Sequence, residues 1–232
     1  MMLRRGVDDR KTVRADVALR FLRGEGIEIG ALCWPLTLPR GARVRYVDYL
    51  DEAGLRETYS NELRECPPLV VPDIVDDGTR LASFPDASLD FVVANHMLEH
   101  VEDPIAALQH QLRVLRPGGV LYLTLPDARY TFDASRERTT VEHLLRDHRE
   151  GPHVSRREHY EECARLIEGR NGDILAKRVE EMEAECLRPH FHVWEPITFA
   201  SFLAALDPPF SLELLQVSVE EFIVVIRKRQ LA

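Results

Sequence analysis

The sequence has few cysteines and no long apolar run, and each absence excludes a class of protein. Its four cysteines, Cys33, Cys66, Cys163 and Cys186, show neither C-x-x-C spacing nor a zinc-finger pattern, so we expect reduced and mostly buried thiols. No apolar stretch approaches the roughly 20 residues that a membrane-spanning helix needs. The basic residues near the N-terminus are not followed by an apolar core, which argues against a signal peptide. We therefore predict a cytoplasmic protein that does not bind membranes.

The chain also lacks a net positive charge, internal repeats and low-complexity tracts. Its formal net charge is -9, which argues against a nucleic-acid partner. The N-terminal arginines are expected on a solvated helix or tail; these are Arg4, Arg5, Arg10 and Arg14. With 45% hydrophobic and 30% charged residues, the chain can bury an ordinary globular core. We expect a single domain over residues 1–232, and the sequence leaves a homodimer open.

Strand and helix patterns alternate over the first 126 residues. The clearest helix spans about 103–115, where Asp103 can cap the N-terminus and Pro104 fits the first turn. A first helix is predicted at 12–23 from its apolar stripe. Strands are predicted at 26–30, 43–49, 73–77, 89–97 and 119–126. This alternation predicts an α/β fold with a parallel sheet covered on both faces.

Residues 127–193 break the alternation and are predicted to form a helical insert. Ser155 and Glu158 have the spacing of a capping box. A further helix is expected from an apolar stripe formed by Leu175, Val179, Met182 and Cys186. The closing region, 194–232, is predicted to hold a helix at 195–206 and strands near 211–219 and 221–228. The short turn between these strands predicts an antiparallel hairpin that returns to the same sheet.

Acidic and amide side chains lie where the predicted parallel strands end. In an open parallel sheet, ligands bind beyond these carboxyl ends. The residues there are Glu28, Gly30, Asp48, Asp76, Asp77, Gly78, Asn95, His96 and Asp127. Carboxylates can accept hydrogen bonds from ribose hydroxyls and from an exocyclic amine. An anionic rim also suits a cationic ligand better than a pyrophosphate.

Four segments follow one another along the chain: GIEIGALCWPLTLP, VRYVDY, DDGTRLASFPDASLDFVVANHMLEHVEDP and LRVLRPGGVLYLTLPD. In this order they resemble the class I S-adenosylmethionine-dependent methyltransferases of the methyltransferase type 11 group. The resemblance covers about residues 25–127, and it implies S-adenosyl-L-methionine as cofactor. It implies a Rossmann-like class I methyltransferase sheet, mostly parallel, with an antiparallel C-terminal hairpin strand. The cofactor-binding part would be residues 1–126, with the helical insert after strand five.

The same resemblance implies roles for individual residues. Glu28 and Gly30 match the loop that holds the methionine part of the cofactor, and Asp48 matches the acceptor for both ribose hydroxyls. Asp77 best matches the acceptor for the adenine amine, with Asp76 as the alternative. The full set of predicted cofactor-binding residues is Glu28, Gly30, Ala31, Asp48, Asp76, Asp77, Gly78, Asn95 and His96.

The chain departs from the group's glycine-rich G-x-G-x-G loop. Leu32 and Trp34 occupy the second and third glycine places. Glycine there normally permits positive φ and close approach of the backbone. The two side chains must therefore point away from the cofactor, or the loop must take another path.

The candidate catalytic residues are His96, His190, His192 and Tyr130. No single catalytic motif is obligatory, because the methyl donor is already activated and the protein mainly aligns the reactants. Each candidate has a plainer interpretation: an ordinary strand end for His96, and core packing for Tyr130. The H-x-H pair, with Asp127 as a conceivable third ligand, is a weak metal signal, and we predict no metal site.

We expect transfer of a methyl group to an oxygen or nitrogen of a small-molecule acceptor, such as a natural product, a sugar or another metabolite. The fourth strand is followed by NHML instead of an N/D-P-P-Y signature, which argues against amino methylation of nucleobases or protein amides. The altered loop keeps open a non-catalytic S-adenosylmethionine-binding or partner-binding module. A nucleotide-binding oxidoreductase would need an intact G-x-G-x-x-G, which is absent.

Overall fold

The computed structural model describes residues 2–66, 68–206 and 209–230, with side chains from residue 9 onward. In this part of the chain the helices α1 to α7 comprise Met2–Phe21, Glu52–Thr58, Pro104–Val114, Val141–Glu150, Arg156–Leu166, Gly172–Ala184 and Pro196–Ala205. The strands β1 to β7 comprise Glu25–Ile29, Arg43–Asp48, Ile74–Val75, Leu89–Asn95, Leu115–Pro126, Phe210–Val217 and Glu221–Lys228. None of the helices described combines the length and the hydropathy that crossing a bilayer requires.

All seven strands form one sheet in the order β3-β2-β1-β4-β5-β7-β6. The pairs from β3 to β5 are parallel, whereas β7 pairs antiparallel with both β5 and β6. The predicted α/β fold class and its antiparallel closing hairpin are therefore confirmed. The chain runs outward from β1 in one direction and from β4 in the other, so a ligand crevice is expected where β1 and β4 lie side by side.

The core lies on both faces of the sheet, and this explains the near-continuous apolar strands. β5 and β7 are buried along most of their length, as expected for strands covered on both sides. On one face, α1 packs Val17, Ala18 and Leu22 against the sheet. On the other face, α3 and α7 pack against it, with Trp194 and Phe199 among the buried side chains. The sheet, with the carboxyl ends of its parallel strands, therefore lies between two layers of helices.

Several predicted boundaries differ from the structure. α1 begins at Met2 and not near residue 12. β3 has only two residues, Ile74–Val75, because it pairs with β2 over just two positions. β5 begins at Leu115, so the predicted stop at 116–119 lies inside the strand, where Leu115 pairs with Leu89 beside a register shift. The N-cap predicted for α3 is confirmed: the Asp103 carboxylate accepts from the Ala106 N–H at 3.0 Å.

The predicted capping box at Ser155 and Glu158 is wrong. Ser155 makes no side-chain capping bond, because its hydroxyl donates to the Asp147 carboxylate. A capping box is present instead at the start of α7, between Glu195 and Thr198. The hydroxyl of Thr198 lies 2.9 Å from the Glu195 N–H.

The cysteines also differ from expectation. Cys33 and Cys66 are joined in a disulfide, so the prediction of reduced thiols is wrong for this pair. Cys163 is free and buried. Cys186 is free and exposed, because α6 ends at Ala184 and the residue adopts a left-handed φ of 50° beyond the helix.

Among the N-terminal arginines, Arg14 contradicts the expected solvated position. Its guanidinium binds the carboxylate of Glu221, which is fully buried. Arg10 lies 3.8 Å from the carboxylate of Glu220, with 29% of its side chain exposed. The side chains of Arg4 and Arg5 lie outside the described residues. Helix α1 is thus tied to the last strand through charge as well as through apolar packing.

Candidate active site

A cleft of about 1200 Å³ opens at the carboxyl ends of β1, β2 and β4. Among the predicted cofactor residues it is lined by Gly30, Asp48, Asp77, Gly78, Asn95 and His96. The insert supplies the opposite wall, including Arg156, Tyr160 and Arg188. The guanidinium of Arg188 lies 5.0 Å from the Tyr49 ring centre, a cation–π contact that joins the insert to the end of β2. The insert therefore faces the sheet across the cleft.

Glu28 fastens the loop that follows β1. Its carboxylate is 1% exposed, and each oxygen lies 3.0 Å from the Leu36 N–H. The Asn95 side chain donates to the same carboxylate at 3.2 Å, and its own oxygen accepts from Thr124 at 3.0 Å. Burial raises the pKa of Glu28 to about 7 despite these donors. Glu28 therefore sets the shape of the loop beside the cleft.

The loop after Gly30 follows a path of its own. Gly30 has a φ of 67°, and a Cβ added there would meet no atom within 4 Å, so the backbone is open to the cleft. Leu32 adopts a φ of 46°, and its carbonyl accepts from Val70 at 2.7 Å. Trp34 is 42% exposed and lies beneath the Lys11 ammonium, 4.3 Å from its ring centre. The missing glycines are thus accommodated by a strained leucine and an outward tryptophan.

The acidic side chains of the rim occupy different environments. Asp48 is mostly buried, which raises its pKa, and its Oδ1 accepts from the Tyr49 N–H at 2.8 Å. Asp77 lines the cleft and accepts from the Thr79 N–H at 2.9 Å. Asp76 accepts from the Ser83 N–H at 2.8 Å and does not line the cleft. This geometry favours Asp77 over Asp76 as the acceptor for an adenine amine, a role that stays a prediction.

These groups fit the cofactor that the resemblance implies. The nucleoside and amino-acid parts of S-adenosylmethionine need carboxylate acceptors and an exposed backbone, and Asp48, Asp77 and Gly30 offer these on one cleft wall. Because Gly78 has no side chain, its backbone can pack closely against β1: a Cβ there would lie 2.4 Å from Ile29 Cγ2. Ala31 lies beyond this wall, in a second cavity.

His96 joins a network of buried charges directly after β4. It adopts a left-handed φ of 48°, and its Nε2 lies 2.9 Å from Glu221 Oε2. Its Nδ1 lies 3.3 Å from Glu99 Oε1. Burial alone would lower the pKa of His96, but the contacts with Glu221 and Glu99 outweigh it and raise the pKa to about 9. Burial likewise opposes ionisation of Glu221, yet Arg14 and His96 lower its pKa to about 2. His96 is therefore an imidazolium at neutral pH.

A second cavity, of about 450 Å³, lies between α1 and the loop after β1. It shares Gly30, Leu32, Asn95 and His96 with the first cleft, so the two spaces meet at the ends of β1 and β4. Its other lining residues are Arg10, Lys11, Arg14, Glu28, Ala31, Trp34, Pro35, Leu36 and Thr37. An apolar wall with cations above it can hold a small molecule that carries a negative charge.

The remaining candidate catalytic residues line neither cavity. Tyr130 is 59% exposed, with the Arg129 guanidinium 5.2 Å from its ring centre. His190 Nδ1 lies 2.6 Å from Asp133 Oδ2. His192 is buried, and its Nε2 donates to the Glu102 carbonyl at 3.2 Å. A role for these three in methyl transfer therefore has no support from their positions.

The weak H-x-H pattern does not form one site. His190 groups with Glu99 and His100, whereas His192 groups with His143 and His159. Asp127 is not available as a third ligand, because its carboxylate binds the Arg129 guanidinium with an O–N distance of 2.6 Å.

Sequence reasoning missed the partners of His96. Glu221 opens the last strand, an otherwise apolar segment, and a charged residue at that position was the available signal. Arg14 was hidden among other N-terminal arginines, and nothing local distinguishes it. Glu99, in the turn after β4, is 1% exposed and was read only as part of a motif.

One family model and several solved structures match the chain. Residues 24–123 match the model of a family described as a methyltransferase domain. No curated protein matches the chain. The fold is similar to a protein described as a Zn-dependent alcohol dehydrogenase from Rhodobacter sphaeroides, with 14% identity, TM-score 0.57, and coverage of 94% of this chain and 90% of that one.

Two further solved structures share the fold. The PH0226 protein from Pyrococcus horikoshii OT3 is 15% identical, with TM-score 0.52, covering 95% of this chain and 91% of that chain. The other is a Haloferax volcanii complex of the Trm112 methyltransferase activator with a protein described as a methyltransferase; it is 14% identical, with TM-score 0.51 and coverage of 97% and 93%. At these identities the likeness shows the fold alone. Residues 24–123 thus match a methyltransferase domain, and the sheet of the whole chain has the mostly parallel order with an antiparallel closing hairpin that the resemblance to class I methyltransferases implies.

Proposed function

We propose that the protein transfers a methyl group to an oxygen or nitrogen of a small, negatively charged metabolite. The observation that carries this is the meeting of the two cavities at Gly30, Leu32, Asn95 and His96. One cavity has the acidic rim that suits the nucleoside of a cationic cofactor. The other has cations and an apolar wall, which suit an anionic acceptor.

The residues of the large cleft bind and orient the cofactor. S-adenosylmethionine supplies an activated methyl group when bound, so alignment with the acceptor is the main task of the protein. Asp48 and Asp77 hold the ribose and the adenine amine, and Gly30 lets the backbone approach the methionine part. Asn95 and Glu28 keep the loop in place, since both lie in the hydrogen-bond network beneath it.

The small cavity determines which acceptors fit. Its volume of about 450 Å³ matches a small metabolite and is too small for a folded macromolecule. Lys11 and Arg10 attract an anionic group, and Trp34 and Leu36 contact an apolar part. His96 carries a proton at neutral pH and both of its ring nitrogens face carboxylates, so it does not act as a general base and instead places a positive charge where the two cavities meet.

Binding of S-adenosylhomocysteine, measured by calorimetry, tests the cofactor half of the proposal. Asp48→Asn should weaken binding roughly 10- to 100-fold, because hydrogen bonds from the ribose to a charged acceptor are lost. Asp76→Asn is the matched control and should bind like the wild type, since Asp76 lies outside the cleft. No binding to the wild type, or equal losses in both variants, would contradict these assignments.

Turnover with labelled cofactor tests the acceptor half. A panel of small carboxylates and phosphates, paired with their neutral esters and amides, should show methylation of the charged members first. Lys11→Gln should raise KM for them several-fold with little change in kcat, whereas Lys177→Gln, on the exposed face of α6, should have no effect. Cofactor binding without turnover of any acceptor would support the alternative, a non-catalytic module.

The compartment, the absence of a nucleic-acid or membrane partner, and a homodimer remain predictions. An intact Cys33–Cys66 bond in protein isolated from its own cells would count against the cytoplasm, because disulfides are rare in reducing compartments.

A further inference from the structure

We propose that His143, His159 and His192, with Asp147, bind a zinc ion or a similar divalent transition-metal ion inside the helical insert. One ligating atom from each histidine lies within 4.8 Å of the others. The residues come from α4, α5 and the segment before α7, so the grouping is created by the fold and not by local sequence. Neither cavity of the active site includes any of the four.

The distances are those of a metal coordination shell. His143 Nε2 lies 3.1 Å from His159 Nε2 and 3.1 Å from Asp147 Oδ2. His159 Nε2 lies 4.0 Å from the same carboxylate oxygen. A tetrahedral zinc ion with bonds of 2.0–2.1 Å sets its ligands about 3.3 Å apart. Small side-chain movements would therefore bring these three atoms into one shell.

His192 provides independent evidence for the site, because one of its buried ring nitrogens has no partner among the described residues. Its side chain is 1% exposed, and its Nε2 donates to the Glu102 carbonyl at 3.2 Å. The other ring nitrogen, Nδ1, then carries a lone pair and has no hydrogen-bond partner among the described residues. A histidine whose second nitrogen donates to a backbone carbonyl is the usual form of a metal ligand. Nδ1 is thus the atom that His192 would offer to the ion.

The surroundings of Asp147 are also those of a ligand. The carboxylate is buried at 1% exposure, accepts from the Ser155 hydroxyl, and accepts from Arg146 Nε at 3.2 Å. Ligating carboxylates are commonly oriented by such hydrogen bonds. Three imidazoles with one carboxylate form a nitrogen and oxygen donor set, which suits zinc and the neighbouring transition metals better than calcium or magnesium.

Binding requires two local changes at His143. The hydrogen bond between His143 Nε2 and His159 Nε2 must be replaced by bonds from both atoms to the ion, and a contact of the other ring nitrogen must break. The Nδ1 of His143 lies 3.4 Å from Arg146 Nη2, a long contact in which the arginine is the donor. Ligation through Nε2 places the proton on Nδ1, so this contact must break. Arg146 is 38% exposed in its side chain and can turn toward solvent or toward Glu158.

The metal content of the full chain tests the proposal. Protein made in zinc-supplemented medium and then desalted should retain about one zinc per chain. His159→Gln and His192→Gln should each lose most of it, because each substitution removes one of the three imidazole ligands. His153→Gln, an exposed histidine between α4 and α5, is the matched control and should keep it. Removal of zinc by a chelator should lower Tm by roughly 5–15 °C in the wild type and by much less in the two variants.

Titration with Co²⁺ keeps the test decisive if the variants fail to fold. Chelator-treated wild type should develop the intense visible bands of tetrahedral cobalt, and one equivalent of zinc should remove them. A wild type that retains no metal and gives no such bands overturns the proposal. Folded variants that hold as much zinc as the wild type overturn it as well. Methyl transfer enters neither readout, so failure here is separate from failure of the proposed function.

Discussion

His96 combines three features that rarely meet at one position. It is a non-glycine residue with positive φ, it follows the central strand β4, and it lies between two buried carboxylates. A strained backbone at this place persists only because the surrounding contacts hold it. Glu221 and Glu99 supply those contacts, so the ion pairs of His96 also hold its backbone in the left-handed conformation.

The stability given by His96 should depend on pH in a defined direction. Its pKa is about 9 in the folded protein and about 6.5 in an unfolded chain. The contribution is therefore complete below pH 6.5 and is lost as pH rises through 9. His96→Gln should lower Tm by roughly 3–10 °C at pH 6, and this deficit should shrink as the pH approaches 10.

Calorimetric scans of both proteins between pH 5.5 and 10 would measure the deficit. His153→Gln, exposed and outside the network, should follow the wild type throughout. A deficit for His96→Gln that stays constant over this range would show that the ion pairs add nothing to stability.

At the residue scale, sequence reasoning located one wall of the site and missed the other. Gly30, Asp48, Asp77, Asn95 and His96 stand at strand ends, where a short motif carries the information. Arg188 and Glu221 reach the same place from distant parts of the chain. No local pattern reports a contact of that kind, because it depends on how helices and strands pack.

At the element scale, the loop between β1 and β2 shows how a glycine-poor loop is held in shape. The Glu28 carboxylate accepts a hydrogen bond from the Leu36 N–H of this loop. The Cys33–Cys66 disulfide joins the loop to the segment after α2. Such cross-links act mainly by restricting the unfolded chain. The disulfide thus replaces, by covalent restraint, part of what tight glycine turns provide elsewhere.

Replacing Cys33 or Cys66 by serine should lower the free energy of unfolding by about 3–4 kcal/mol, as expected for a closed loop of this length. Urea titrations of each variant would measure the loss. Cys186→Ser, which removes an exposed free thiol, is the control and should have little effect. Thiol counting in denaturant without reductant should find two free thiols, Cys163 and Cys186; four would show that the bond does not form.

The elements themselves were predicted with uneven success. Strands β1, β4 and β7 lie close to their predicted bounds, because buried strands carry strong apolar runs. β3 was overestimated, since its length is set by its short pairing with β2 and not by its own residues. The capping box predicted at Ser155 is wrong for a similar reason: its hydroxyl donates to Asp147, eight positions earlier, and does not cap α5.

At the scale of the whole molecule, the apolar packing falls into separate regions. The two faces of the sheet carry the larger clusters. The insert has a small cluster of its own, built from residues such as Tyr160, Val179, Met182 and Phe191. The sequence predicts a division at residue 127, because the strand pattern stops there, and it predicts that the insert forms a cap over the cofactor.

Hydrogen exchange followed by mass spectrometry should report this division. The amides of β4 and β5, in the buried middle of the sheet, should exchange most slowly. Those of α5 and α6 should exchange at least about tenfold faster in metal-free protein, because fewer apolar contacts must open. Equal protection of α6 and β4 would show that the insert and the sheet open only together.

The pairing of Arg14 with Glu221 spans 207 positions of the chain. During synthesis, every carboxylate of the cofactor cleft leaves the ribosome long before the strand that carries Glu221. A growing chain therefore contains Asp48, Asp77 and His96 before it contains the anion that joins His96 to α1. The network around His96 can therefore form only after β7 has been synthesised, late in translation.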